Sequence, residues 1–238
     1  MRNSIPHDGP RTALAEELDA MKYRQKGESF DDKIKRLARS MSDDINHQWE
    51  LEDILGSMRF LPAGRVQASM GANRVVTSFN CFVSGTINDN MNDIMAKAGE
   101  AAETMRRGGG IGYDFSTIRP KGNIIKSLQS QASGPVSFMG IFDAVCQTIA
   151  SSGHRRGAQM GVLRVDHPDI EKFISIKTGD VNMVKYSNIS VLLTHDFMDA
   201  VENNKTFDLK YENKVYKTIK AKKLWNDIVD HAHTSAEP

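Results

Sequence analysis

Two side chains in this sequence could carry redox chemistry, the thiols of Cys81 and Cys146. A thiol can pass electrons by exchange with a second sulfur and be reset by an external reductant. Cys81 follows Asn80 inside residues 74–83, a run rich in β-branched and aromatic side chains that predicts a strand. A strand cysteine is more often a small buried hydrophobe than a reagent, so spacing alone leaves both readings of Cys81 open. Cys146 lies between Val145 and Ile149 on an apolar helical pattern, where core filler is the stronger reading. Two cysteines cannot build a disulfide framework, and without Cys-x-x-Cys a cysteine zinc site is excluded. His231 and His233 are two apart on a helical pattern and face different ways, so no metal centre is expected.

Anion chemistry is the second theme. Residues 153–159 place Arg155 and Arg156 between Gly153 and Gly157. Guanidinium forks match phosphate, and glycine lets a backbone come close, but a solvated basic turn fits equally well. The glycine run 108–112 lacks the Gly-Lys-Ser/Thr ending of a phosphate loop. It follows a helix and opens a strand, so it reads as a helix stop with close backbone approach. His167, beside Pro168, reads as a helix-start residue rather than a catalyst.

Helices and strands must position these groups. Leu14, Leu18 and Met21 repeat on one helical face, and Ser29 with Asp32 forms a capping-box pattern ahead of Ile34, Leu37, Ala38 and Met41. A third stripe is Leu51, Ile54, Leu55 and Met58, and Pro62 with Gly64 then breaks the helical pattern. Asn88, Asp89 and Asn90 precede a long helix that Gly108 stops. Pro135 opens a helix buried through Phe138, Phe142, Val145 and Ile149 and ended by Gly153. Strands are predicted at 160–165 and 188–194, a hairpin over 207–219, and a last helix through Leu224, Ile228, Val229 and Ala232. Strands alternating with helices from residue 61 predict an α/β fold with a largely parallel sheet. The chain stops straight after a helix, so its C-terminus reads as incomplete.

Composition excludes other classes. Lys+Arg is 31 against Asp+Glu 30, a net charge of +1, without the basic excess of a nucleic-acid binder. No apolar run reaches the ~18 residues of a membrane helix, and no secretory signal is visible, which predicts a cytoplasmic protein.

The order of the short motifs is specific. Leu61-Pro-Ala-Gly-Arg65 is followed by Ser78-Phe-Asn-Cys81, then by Arg107-Gly-Gly-Gly-Ile-Gly112 with Arg119-Pro120. Ser133-Gly-Pro-Val136, Arg155-Arg-Gly-Ala158 and Asp166-His-Pro-Asp169 come next. This succession resembles the N-terminal half of ribonucleotide reductase catalytic (large) subunits, most of all the adenosylcobalamin-dependent (class II) branch. A diiron-dependent (class I) relative is the main rival within the family. The resemblance implies an N-terminal helical region, residues 1–60, and the first half of a ten-stranded α/β barrel, a parallel five-stranded half, in residues 61–238.

It also implies a chemistry. A cysteine thiyl radical would take the 3′ hydrogen of a ribonucleotide, the 2′ hydroxyl would leave as water, and a cysteine pair would supply two electrons. Cys81 matches the first cysteine of that pair, and Ala63 and Asn80 match positions lining the ribose and base. Asp89, Asn90, Met91 and Arg119 match the site where a dNTP effector tunes substrate choice, and Arg155 and Arg156 the loop that relays effector identity. The radical-bearing Asn-x-Cys-x-Glu loop is absent, since Ala144 and Thr148 flank Cys146 instead. The implied partners are a ribonucleotide substrate, a dNTP or ATP effector, thioredoxin or glutaredoxin, the C-terminal half of the reductase and a second copy of the chain. No ATP-cone pattern shows in residues 1–60. A non-catalytic nucleotide-binding module and an unrelated α/β phosphate-binding enzyme are the alternatives.

Overall fold

The computed structural model describes residues 8–151, 155–178 and 184–238. They form two compact units that meet in sequence between Asn80 and Cys81.

The first unit is helical: α1 (Ala13–Lys22), α2 (Phe30–Met41), α3 (Ile45–Gly56) and α4 (Gly64–Ser69). Ser29 and Asp32 form the expected capping box of α2, whose Ile34, Leu37 and Ala38 are buried. The apolar stripe of α1 does not face a core: Leu14 is 65 % and Met21 48 % exposed, and the buried residue is Asp19. Asp19 accepts from the buried Lys33 ammonium and, at 2.6 Å, from Arg24 Nε. An ion-paired carboxylate, not a leucine stripe, therefore anchors that helix. Burial pushes the Lys33 amine below its usual range, and the bond to Asp19 opposes this. Where the sequence showed only a helix break, α4 forms; its Gln67 donates back to Pro62 O at 2.8 Å.

The second unit carries the sheet. Its elements are β1 (Cys81–Val83), α5 (Met91–Arg106), β2 (Gly110–Asp114), β3 (Ile124–Ile125), β4 (Ser130–Gln131) and α6 (Pro135–Thr148). There follow β5 (Ala150–Ser151), β6 (Arg155–Arg156), β7 (Gln159–Arg164), α7 (Ile170–Ile174), β8 (Ser187–Leu192), α8 (His195–Glu202), β9 (Thr206–Tyr211), β10 (Lys214–Lys220) and α9 (Ala221–Ser235). The order β1-β2-β7-β8 is parallel throughout, so among the described residues four of the five parallel strands implied by the resemblance are formed. The strand expected over 74–83 shrinks to Cys81–Val83, because only those residues find partners in β2. α6 ends at Thr148, before Gly153, and β9 and β10 form the expected antiparallel hairpin.

Side chains alternate across the strands. Ile111, Tyr113, Gln159, Gly161, Leu163, Ser187 and Ile189 are buried. The apolar members among them join one core with Ile94, Ala101 and Met105 of α5 and Val136, Phe142 and Cys146 of α6. On the opposite face Cys81, Val83, Asp114, Met160, Arg164, Asn188 and Leu192 are exposed. Gly157 lets the loop before β7 pack against α5 and α6: a Cβ there would lie 2.7 Å from Met105 Sδ and 2.9 Å from Cys146 Sγ. Gly108, at φ 89, ends α5, so the glycine run is the helix stop the sequence suggests.

Candidate active site

Cys81 opens the marginal strand β1, opposite Gly110, and its thiol is free and exposed. It stands on the sheet face opposite the core that α5 and α6 fill. The next residue on that face is Val83, 93 % exposed and opposite Gly112. Both partner positions are glycine, Gly110 buried and Gly112 half-buried. Cys146 is buried under α6, where its thiol donates to Tyr186 O at 3.7 Å. Burial, with Asp143 nearby, pushes that thiol up to about 11, so it stays protonated. In the helical unit, Ala63 is the residue ahead of α4 and is exposed, as is Asn80.

Two of the other predicted site residues are brought together by the fold. Arg119 Nε donates to Asp89 Oδ2 at 2.5 Å, a bond that raises the guanidinium pKa above its ordinary value. Asn90 caps α5, accepting from Asp93 N at 2.9 Å, and Met91 begins that helix, 57 % exposed. The backbone of Arg155 and Arg156 pairs with Ser151 and Ala150. Residues 152–154 lie outside the described residues.

Sequence reasoning missed the residues around this pair. Tyr211 donates to Thr117 O at 2.7 Å, and Thr117 donates to Ile87 O at 2.5 Å. His167 is buried, with Nε2 3.0 Å from Ile118 O and Nδ1 accepting from Asp169 N at 3.0 Å. A second missed feature is a buried chain in which Gln159 donates to Ser187 Oγ at 2.5 Å and Ser187 to Asp143 Oδ1 at 2.8 Å. Asp143 also accepts from the backbone of Lys185 and Tyr186. The Asp-His-Pro-Asp motif was the only visible signal of the first group; the second had none.

The ribonucleotide reductase barrel-domain model matches residues 79–238. This chain belongs to the ribonucleotide reductase family. It is 38 % identical over 213 residues to a vitamin B12-dependent ribonucleoside-diphosphate reductase of Thermoplasma acidophilum, covering 89 % of this chain and 27 % of that protein. The enzyme of the same description from Mycobacterium tuberculosis is 36 % identical over 187 residues, 78 % of this chain and 27 % of its own length. The chain thus spans about a quarter of the curated reductases it matches. The class Id ribonucleotide reductase alpha subunit of Actinobacillus ureae has the same fold, with TM-score 0.78 at 20 % identity over 99 % of this chain and 41 % of that one. No helix among the described residues is long and apolar enough to cross a membrane.

Proposed function

We propose that this chain is the part of a ribonucleotide reductase that carries one reducing cysteine and the dNTP specificity site. The observation that carries the reading is the position of Cys81: an exposed thiol on the open face of a parallel sheet whose other face is filled by helices. Parallel sheets are normally covered on both sides. An open face bearing exposed Val83, Met160 and Leu192 around a thiol suits the inside of a barrel that receives a nucleotide.

In this reading a thiyl radical on another cysteine takes the substrate's 3′ hydrogen and later returns it. The 2′ hydroxyl leaves as water. Cys81 and a second cysteine each give one electron and one proton and end as a disulfide, which thioredoxin or glutaredoxin reduces by exchange. Buried, protonated Cys146 does not suit the partner role. Asn80 and Ala63 would line the ribose and base. Asp89, Asn90, Met91 and Arg119 would hold the effector dNTP, with Arg155 and Arg156 in the loop that relays its identity.

The B12-dependent relatives point to adenosylcobalamin, which when bound supplies the radical. The described residues hold no group of three or more His, Cys, Asp or Glu side chains that would bind a metal ion, and no residue of this chain is assigned to the corrin. The deciding experiment is Cys81→Ser in the complete reductase, assayed for dNDP or dNTP formation driven by thioredoxin. Turnover at background supports the assignment; wild-type turnover overturns it.

A further inference from the structure

The motifs Ser133-Gly-Pro and Asp166-His-Pro-Asp contribute no reacting group, yet both converge on the segment that bears Arg119. The backbone of that segment is held on each side of the arginine. Ahead of it, the Tyr211 hydroxyl donates to Thr117 O at 2.7 Å. At Ile118 the carbonyl lies 3.0 Å from His167 Nε2. Because His167 Nδ1 accepts the Asp169 N–H, the ring proton sits on Nε2 and is donated to Ile118 O. Beyond the arginine, Lys121 N donates to Asp169 Oδ2 at 2.9 Å.

The same segment is tied to the one that carries Asp89, since Thr117 Oγ1 donates to Ile87 O at 2.5 Å. Gly134 closes the arrangement. A Cβ there would stand 2.6 Å from Asp169 Oδ2 and 2.8 Å from Lys121 N, and its φ is +79°. Only glycine lets the start of α6 pass this point.

From this geometry we infer that His167, Asp169 and Tyr211 are positioning residues that hold Arg119 opposite Asp89 for a nucleoside triphosphate. The inference rests on the effector reading of Arg119 given above. Its physical basis is preorganisation. Arg119 Nη1 makes no hydrogen bond to the described residues, so it is available to an anion while Nε is held by Asp89. With its backbone fixed at three neighbouring residues, little freedom is left to lose on binding.

The test is dTTP binding to the complete reductase by calorimetry, beside a thermal melt without nucleotide. Tyr211→Phe removes one hydroxyl and is expected to weaken binding about three- to tenfold. His167→Phe removes both ring contacts and is expected to weaken it about tenfold or more. His167→Gln keeps an N–H donor at the position of Nε2 and is expected to recover most of the affinity. A role in fold stability alone would lower the melting temperatures of the variants while leaving their dTTP affinities within twofold of wild type, and that result overturns the clamp. If His167→Phe does not fold, Tyr211→Phe decides. Absence of dTTP binding by the wild type overturns both this inference and the effector reading. Binding that Arg119→Ala abolishes but Tyr211→Phe leaves unchanged overturns the clamp alone.

Discussion

Cys81 and Gly110 are register partners at the margin of the parallel sheet, the thiol exposed and the partner without a side chain. By register a side chain at position 110 would project to the same face as Cys81, at a position that is now buried. Gly110→Val is therefore expected to lower substrate affinity or turnover in the complete reductase while Cys81 stays reactive to a small thiol reagent. Steady-state kinetics together with thiol labelling of the variant check this. Equal loss of labelling would show that the strand, not the surface beside the sulfur, was disturbed.

The two thiols should behave oppositely. Cys146 is buried and protonated, whereas Cys81 is exposed. Alkylation of the native protein is expected at Cys81 alone, with Cys146 modified only after denaturation. Cys146→Ala is expected to keep reductase activity and to cost about 1–2 kcal/mol through the small cavity it leaves, read by urea unfolding. Mass spectrometry of the labelled peptides separates the sites.

Arg119 and Asp89 come together from segments 30 residues apart; the resemblance assigns both to one site, but nothing in the sequence pairs them. Local signals were read well. Ser29 caps α2, Asn90 caps α5 and Pro135 opens α6, because capping depends on a few adjacent residues. The alternation of strand and helix was likewise enough to give a parallel α/β unit. What failed depended on distant partners. The stripe of α1 misled because Asp19 finds Lys33 and Arg24, a buried ion pair that helical periodicity does not encode. The strand over 74–83 shortened because β propensity is realised only where a neighbour offers hydrogen bonds. His167 does stand at the start of α7, accepting the Asp169 N–H, but its second bond, to Ile118 O 49 residues away, leaves no local signal.

Close packing at Gly157 gives a stability prediction. A Cβ there would meet Met105 Sδ at 2.7 Å, Cys146 Sγ at 2.9 Å and the Cys146 carbonyl at 3.2 Å. The methionine end can move; the helix carbonyl cannot. Gly157→Ala is expected to destabilise by about 1–3 kcal/mol through overpacking. Met105→Ala should cost less in the Gly157→Ala background than in the wild type, because it also relieves the sulfur contact, and a double-mutant cycle in urea measures the coupling. Independent, additive effects would mean that the glycine is not needed for this contact.

Asp143 should prove costly to remove. It accepts two backbone N–H groups and the Ser187 hydroxyl, and is itself buried. Asp143→Ala leaves those donors without partners and is expected to cost about 2–3 kcal/mol or more, as for hydrogen bonds to a charged group. Ser187→Ala removes one link, between Gln159 and Asp143, and should cost about 1 kcal/mol. Chemical denaturation orders the two; a larger loss in Ser187→Ala would place the centre of the network elsewhere.

His167 provides the pH prediction. Burial pushes its pKa below the ordinary histidine value, while the bond to Ile118 O and the carboxylates of Asp169, Asp166 and Asp114 pull the other way. The edge of Tyr211 also packs on the ring, at 5.9 Å between centroids. Above the ordinary value of about 6.5 the imidazole is neutral in both the folded and the unfolded chain, and titration contributes nothing to the pH dependence. As pH falls below that value the unfolded chain takes up the proton first, so stability is lost progressively until the folded form also protonates. Protonation of the folded ring sets a new N–H against the Asp169 N–H, opposing the contact that holds the Arg119 segment. Unfolding free energies of wild type and His167→Gln, measured from pH 7.5 to 5, should therefore diverge in slope below about 6.5, the wild type falling more steeply. Parallel slopes would mean that His167 binds the proton equally in both states and that its burial carries no electrostatic cost.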